Sequence, residues 1–170
     1  LMPVKSVVTI RPQMIKDAEE FYKILNEGCF PYFPVNVASI AAEKRFLRRS
    51  RKEWQHESAF NFTVMLGSRV IGAVGIMPEN SRPYNAEIGY FIDRELHGRG
   101  YALQATIQAE QFARVFRPEI RRLQALIVVD NTPSIRVIEK AGYKREGCLQ
   151  SYLKCGENYY DAYIYGKIIR

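Results

Sequence analysis

The stretch His97-Gly98-Arg99-Gly100-Tyr101-Ala102 carries two glycines one residue apart, where a helix is expected to begin. Helix starts favour Ser, Thr, Asp or Asn, whose side-chain oxygens accept from the first free amides. Bare backbone at this point would instead let an anion approach the N–H groups at the positive end of the helix. Phosphate binding is the chemistry such a segment offers, and a flexible turn is the plainer alternative. Arg99 adds a mobile positive charge. Metal chemistry has little to draw on: Cys29, Cys148 and Cys155 lack Cys-x-x-Cys spacing, and only His56 and His97 could join them. No metal site is expected.

The hydrophobic pattern defines the elements that must hold this loop. VVTIRP, Val7–Pro12, reads as a strand closed by Pro12. Met14–Glu27 has helical spacing, with Ile15, Ala18, Phe21, Tyr22 and Leu25 on one face. Ser39 can cap a second helix from about Ile40 to Glu53. Ala59–Leu66, Gly67-Ser68 and Arg69–Met77 read as a hairpin, with period-2 patterning on its first arm. Asn85–Asp93 is a further strand, and Gly100–Phe116 a helix with Leu103, Ile107 and Ala113 among its apolar positions. Arg122–Val129 is almost continuously apolar, as a central strand would be. A helix follows, with Asn131 or Thr132 as cap, Pro133 in its first turn and Gly142 as its stop. Tyr143–Leu153 and Asn158–Ile168 make two last strands. The order β-α-α-β-β-β-α-β-α-β-β predicts an α+β (mixed α/β) fold: a central, mostly antiparallel sheet with helices on its faces. It excludes a dinucleotide fold, which needs alternating βαβ units and a full Gly-x-Gly-x-x-Gly.

At 170 residues and 47% hydrophobic, residues 1–170 are expected to form one domain with its core at about 7–169. No apolar run approaches the roughly 20 residues of a membrane helix. The opening LMPVKSVVTI is too short and too strand-like for a secretory signal, so a reducing cytoplasm is the expected location and no membrane partner is anticipated. The net charge of +7 points to an anionic partner. Much of it lies in Lys44, Arg45, Arg48, Arg49, Arg51 and Lys52, which also read as a solvated helix face. No nucleic-acid motif accompanies them, so nucleic acid is not the expected partner.

Four segments in order, AEIGYFID, HGRGYA, NTPSIRVIEKAGYKREG and YYDAYIYGKI, make the span from Val7 to Ile169 resemble the GCN5-related N-acetyltransferase (GNAT) superfamily. The resemblance is greatest to the ribosomal-protein-alanine N-acetyltransferase branch. The family signature Gln/Arg-x-x-Gly-x-Gly/Ala falls on His97 to Ala102, with His97 as the one departure. The resemblance implies a splayed sheet and acetyl-CoA as co-substrate. Its pyrophosphate would rest on the segment His97, Gly98, Arg99, Gly100, Tyr101 and Ala102. The family's strand before this loop parts from its neighbour, which assigns the backbone of Tyr90, Phe91 and Ile92 to the pantetheine and thioester.

Asn131, Ser134 and Ile138 share one helical face at i, i+3 and i+7. Asn131 can serve the cofactor's amides or cap its helix. Many family members place a tyrosine general acid where Ile138 stands. The ribosomal branch suggests Ser134 as the substitute beside the cofactor thiol, the alternative being a second capping hydroxyl. Relatives also use a carboxylate on the strand that carries Glu87. Period 2 sets Glu87, Gly89 and Phe91 opposite Ala86, Ile88 and Tyr90. A partly buried Glu87 would have a raised pKa suited to a base, or would serve as a structural hydrogen-bonding group. Some ribosomal-type relatives use another glutamate where Leu153 stands. Tyr152, Tyr159, Tyr160, Asp161 and Phe30–Asn36 are candidates to shape the acceptor pocket.

The implied activity is acetyl transfer from acetyl-CoA to a primary amine by direct attack in a ternary complex, since no cysteine sits in the motifs. An α-amine, with a pKa of about 7.7–8.0, loses its proton more readily than a lysine at about 10.4, so a protein N-terminus is the easier acceptor. A polyamine, an amino acid or an antibiotic amine stays open as acceptor, as does a non-catalytic CoA-binding sensor of the same fold. A homodimer is a further open partner.

Overall fold

The computed structural model describes residues 7–27, 30–32 and 37–170. Its strands are β1 (Thr9–Pro12), β2 (Phe60–Leu66), β3 (Arg69–Glu79), β4 (Arg82–Ile92), β5 (Arg122–Val128), β6 (Lys144–Cys155) and β7 (Asn158–Ile168). Its helices are α1 (Ala18–Glu27), α2 (Ile40–Gln55), α3 (Tyr101–Phe116) and α4 (Thr132–Lys140). The seven strands form one sheet in the order β1-β2-β3-β4-β5-β7-β6. Every neighbouring pair is antiparallel except β4 and β5, which α3 joins as a crossover. The expected mixed, mostly antiparallel architecture is therefore present, with β5 in the interior of the sheet.

Alternation along the strands divides the core between the two faces of the sheet. On one face Phe60, Phe62, Val64, Val74, Ile76, Ile88 and Ile92 pack with α3 and with Ile138 of α4. The α3 residues that meet them are small: Ala105, Ala109 and Ala113 recur every fourth residue and are fully buried. This alanine ridge lets α3 lie close to the sheet, and Ile107, expected among its apolar positions, points to solvent. On the other face Ala18 and Phe21 of α1, Leu47 of α2 and Ala73 of β3 form a second cluster.

Polar groups fasten α1 and α2 to the sheet. Asp17 is 2% exposed and accepts from Arg11 (2.6 and 2.8 Å), the Thr63 hydroxyl (2.7 Å) and the Met14 N–H (2.9 Å). Burial pushes this carboxyl up, but those donors outweigh it and hold its pKa below the ordinary value. The Met14 bond also draws Ile15–Asp17 into a tight 3-10 turn, so α1 begins at Ala18 rather than at the expected Met14. Ser39 caps α2 as expected, its Oγ accepting from Ala42 N–H at 3.1 Å, an arrangement worth about 1 kcal/mol. Ser50 of α2 bonds both Gln13 and Asn61. Gly75 leaves room for that asparagine, because a Cβ there would lie 2.4 Å from its Oδ1. Among the described residues, no helix is long and apolar enough to cross a membrane.

Candidate active site

The pairing of β4 with β5 ends early. Asn85 pairs with Arg122, Ala86 with Leu123 and Glu87 with Gln124, and beyond Glu87 the two strands no longer pair with each other. The other edge of β4 stays on β3 through Ile92. Gly72 makes this lean possible: a Cβ there would lie 2.1 Å from the Phe91 carbonyl oxygen. The result is a wedge-shaped opening between Ile88–Ile92 and β5.

The register decides which backbone groups line the opening. Asp93 N–H donates to Ile71 O at 2.7 Å. Alternate residues of an antiparallel strand turn their backbone groups the same way, so Phe91 and Gly89 face β3, while Tyr90 and Ile92 face the opening. Phe91, expected to offer its amide to a ligand, is thereby corrected. Its backbone serves the sheet, and its ring stacks edge-on against Phe21 (5.8 Å) and Phe30 (6.1 Å). His97, the departure from the family signature at the start of the phosphate segment, uses its side chain within the protein. Its Nε2 bonds the Ile92 carbonyl at 2.7 Å, so the ring seals the end of β4. The Phe30 ring lies tilted against it, 6.2 Å between centroids.

Immediately beyond lies the glycine pair. Gly98 and Gly100 have φ of +77° and +80°, the left-handed region that favours glycine. A Cβ at either would meet nothing within 4 Å. The protein itself therefore leaves the space above the loop open, and the backbone conformation is what demands glycine. Gly100 occupies the cap position of α3 without a side-chain cap. The amides of Tyr101 and Ala102 belong to the first turn, whose N–H groups have no intrahelical partner. Arg99 is exposed beside them and forms no ion pair among the described residues. Tyr101 contributes only backbone, its ring being buried in the core.

The far wall of the opening comes from the start of α4. Asn131 Oδ1 accepts from Ser134 N–H at 3.3 Å, so Asn131 is the helix cap and Thr132 is not. Ser134, for which a capping hydroxyl was the alternative role, instead places Oγ 3.0 Å from the Tyr90 hydroxyl. Ile138, one turn on, is fully buried. The sequence suggests only a backbone role for Tyr90, whereas its side chain meets Ser134. The contact spans 44 positions, and no local spacing signals it.

Glu87 projects from the opposite face of β4, toward the side that carries α1 and α2. It is half-buried and its pKa is raised, chiefly by burial and secondarily by the charge of Glu79. Glu79 itself is held by Arg82 (2.8 Å) and by Gln124 (3.3 Å). No hydrogen bond or ion pair engages the Glu87 carboxylate among the described residues. A half-buried carboxylate on one side of β4 and a pair of hydroxyls on the other thus flank a single opening. Of the residues expected to shape an acceptor pocket, Tyr160 of β7 meets Tyr32 at 5.8 Å, Tyr152 and Tyr159 are exposed, and Asp161 accepts from Ser151 N–H at 2.8 Å. The expected pocket residues at positions 33–36 lie outside the described residues.

Comparison with known proteins gives this geometry a context. Residues 8–144 match the family model described as an acetyltransferase (GNAT) domain. The chain is 25% identical over 156 residues to the probable N-acetyltransferase YjcK of Bacillus subtilis, covering 86% of each protein. It is 31% identical over 108 residues to the ribosomal-protein-serine acetyltransferase of Escherichia coli, covering 64% of this chain and 60% of that protein. Among solved structures, the microcin C7 self-immunity acetyltransferase MccE in complex with acetyl-CoA and AMP superimposes with a TM-score of 0.82 at 24% identity. That match covers 95% of this chain and 92% of the other.

Proposed function

This chain belongs to the GNAT acetyltransferase family and is an N-acetyltransferase, and from that premise we propose that it acetylates the α-amine of a cytoplasmic protein or peptide N-terminus. The observation that carries the reading is the loss of β4–β5 pairing directly after Glu87, on the strand that runs into an uncapped helix start at Gly100. The amides from Gly98 to Ala102 receive the pyrophosphate of acetyl-CoA, with Arg99 adding charge from solvent. Tyr90 offers its backbone groups, and Ile92 its N–H, to the pantetheine arm and the thioester carbonyl.

The acceptor amine enters from the α1–α2 side. There Glu87, ionised but poorly solvated, takes a proton from the ammonium directly or through water, which frees the nitrogen lone pair for attack on the acetyl carbon. The carbonyl oxygen gains charge and is stabilised by strand amides. The attacking nitrogen passes its second proton to water, collapse breaks the C–S bond with its electron pair on sulfur, and Ser134 donates a hydrogen bond to that sulfur. No covalent acyl-enzyme enters the sequence. The ribosomal-protein-serine relative supports a protein as acceptor, the lower pKa of an α-amine favours its N-terminus over a lysine, and the net charge of +7 disfavours a polycation.

Acetyl-CoA supplied with a panel of amines tests the reading, with coenzyme A release followed by a thiol-reactive dye and product mass by spectrometry. The panel comprises peptides with free N-termini, an N-blocked lysine peptide, spermidine and free amino acids. Acetylation of free-N-terminus peptides above all others is expected. Turnover confined to spermidine or free amino acids would overturn the acceptor assignment.

A further inference from the structure

We propose that Tyr90 is a positioning residue for Ser134, a second hydroxyl that turns the serine O–H toward the departing sulfur. The inference rests on the catalytic reading above and adds a residue to it. Tyr90 lies on β4 and Ser134 in the first turn of α4, so the contact crosses the opening that the substrate thioester must occupy. The phenol oxygen is 3.0 Å from Ser134 Oγ and 3.1 Å from the Ser134 carbonyl oxygen. A carbonyl only accepts, so at that contact Tyr90 donates its single hydrogen. Ser134 Oγ–H is then left to donate to the phenol oxygen. Both hydroxyls are satisfied by each other and by one backbone carbonyl.

An anionic sulfur arriving near Oγ offers a stronger acceptor than a phenol. The serine hydrogen turns to it, and Tyr90 swings its own hydrogen from the carbonyl to Oγ. The carbonyl keeps the helical N–H bond that its position in the first turn provides. Donation into Oγ polarises the serine O–H, because hydrogen bonds in a chain strengthen one another. Neither hydroxyl loses its proton: the thiolate leaves hydrogen-bonded to Ser134 and is protonated by solvent. Burial pushes the Tyr90 phenol up to about 12, the Ser134 bond opposing that rise, so the phenol remains a donor throughout the neutral range. Ile138, the next residue on this face of α4, is an alkyl side chain fully buried in the core and supplies no donor.

A double-mutant cycle on the full chain tests the coupling. Wild type, Tyr90→Phe, Ser134→Ala and the double variant are assayed for kcat and for KM of acetyl-CoA, with the best amine from the panel. Tyr90→Phe should lower kcat roughly two- to twelvefold, the effect of one neutral hydrogen bond. KM should not change, and the loss should be equal from pH 6.5 to 8.5. In the Ser134→Ala background the same change should cost nothing further, whereas in a Ser134→Thr background, which keeps a hydroxyl, the loss should reappear. Losses that multiply in the Ser134→Ala background, or a Tyr90→Phe enzyme at wild-type kcat, would overturn the proposal. Calorimetric coenzyme A binding by each variant reports that it is folded. A wild type that acetylates none of the amines would refute the catalytic reading itself, an outcome distinct from wild-type turnover with uncoupled variants.

Discussion

Replacing Glu87 by Gln separates a catalytic carboxylate from a structural one, because the two predict opposite changes in stability. The group has no hydrogen-bond or ion-pair partner among the described residues, and burial and Glu79 raise its pKa. A carboxyl whose folded pKa lies above its unfolded value costs stability above the unfolded pKa, and that cost is relieved as pH falls through the folded value. At pH 7 the uncharged glutamine should therefore leave the melting temperature unchanged or higher. Were Glu87 structural, its loss would strand a partner at about 1–3 kcal/mol. For a chain of 170 residues that is a fall of roughly 2–12 °C. Activity should move the other way. A general base contributes about 10²–10⁴-fold, and the lower end applies here because an α-amine of pKa about 7.7–8.0 is already roughly one-tenth neutral at pH 7. Raising pH from 7 to 8.5 increases the neutral fraction about sixfold, so the variant should recover by about that factor. The assay is kcat/KM against pH and melting temperature on one preparation. A lowered melting temperature with an unchanged pH–rate profile would refute the assignment.

Ser134→Ala should lower kcat by about tenfold to a hundredfold with little change in KM for acetyl-CoA, since thiolate is a tolerable leaving group and loses only a hydrogen-bond donor; wild-type kcat across pH would remove Ser134 from the mechanism. Gly100→Gln should weaken coenzyme A binding strongly, because its φ of +80° and the open space above it are what expose the helix amides; unchanged calorimetric affinity in a folded variant would contradict this. Asp17→Asn should cost about 3 kcal/mol, since Arg11, Thr63 and the Met14 N–H all converge on its buried carboxylate. Its pKa is lowered by folding, so wild-type stability from this group is present above the unfolded pKa and is lost as pH falls through the folded one. Denaturant melts of the two proteins should therefore converge in strong acid, and an equal gap at every pH would contradict the assignment.

The elements of this protein are legible in its sequence because their signals are local. Ser39, Asn131, Pro133 and Gly142 mark helix ends through contacts a few residues away, and period-2 alternation sorts Glu87 from Tyr90 on opposite faces of β4. The left-handed glycines before α3 are equally local, since backbone strain at one residue is enough to require them. What the sequence does not contain is the relation between distant segments. Phe91 is turned away from the opening by a register fixed against β3, and His97 is occupied by a carbonyl whose direction follows from the same register. The width of the opening depends on Gly72 admitting the Phe91 carbonyl, and the pairing of Tyr90 with Ser134 depends on α4 starting where β5 has left β4. Such contacts form only after long loops have closed, so their geometry is set by the packing of the whole sheet and not by any spacing along the chain.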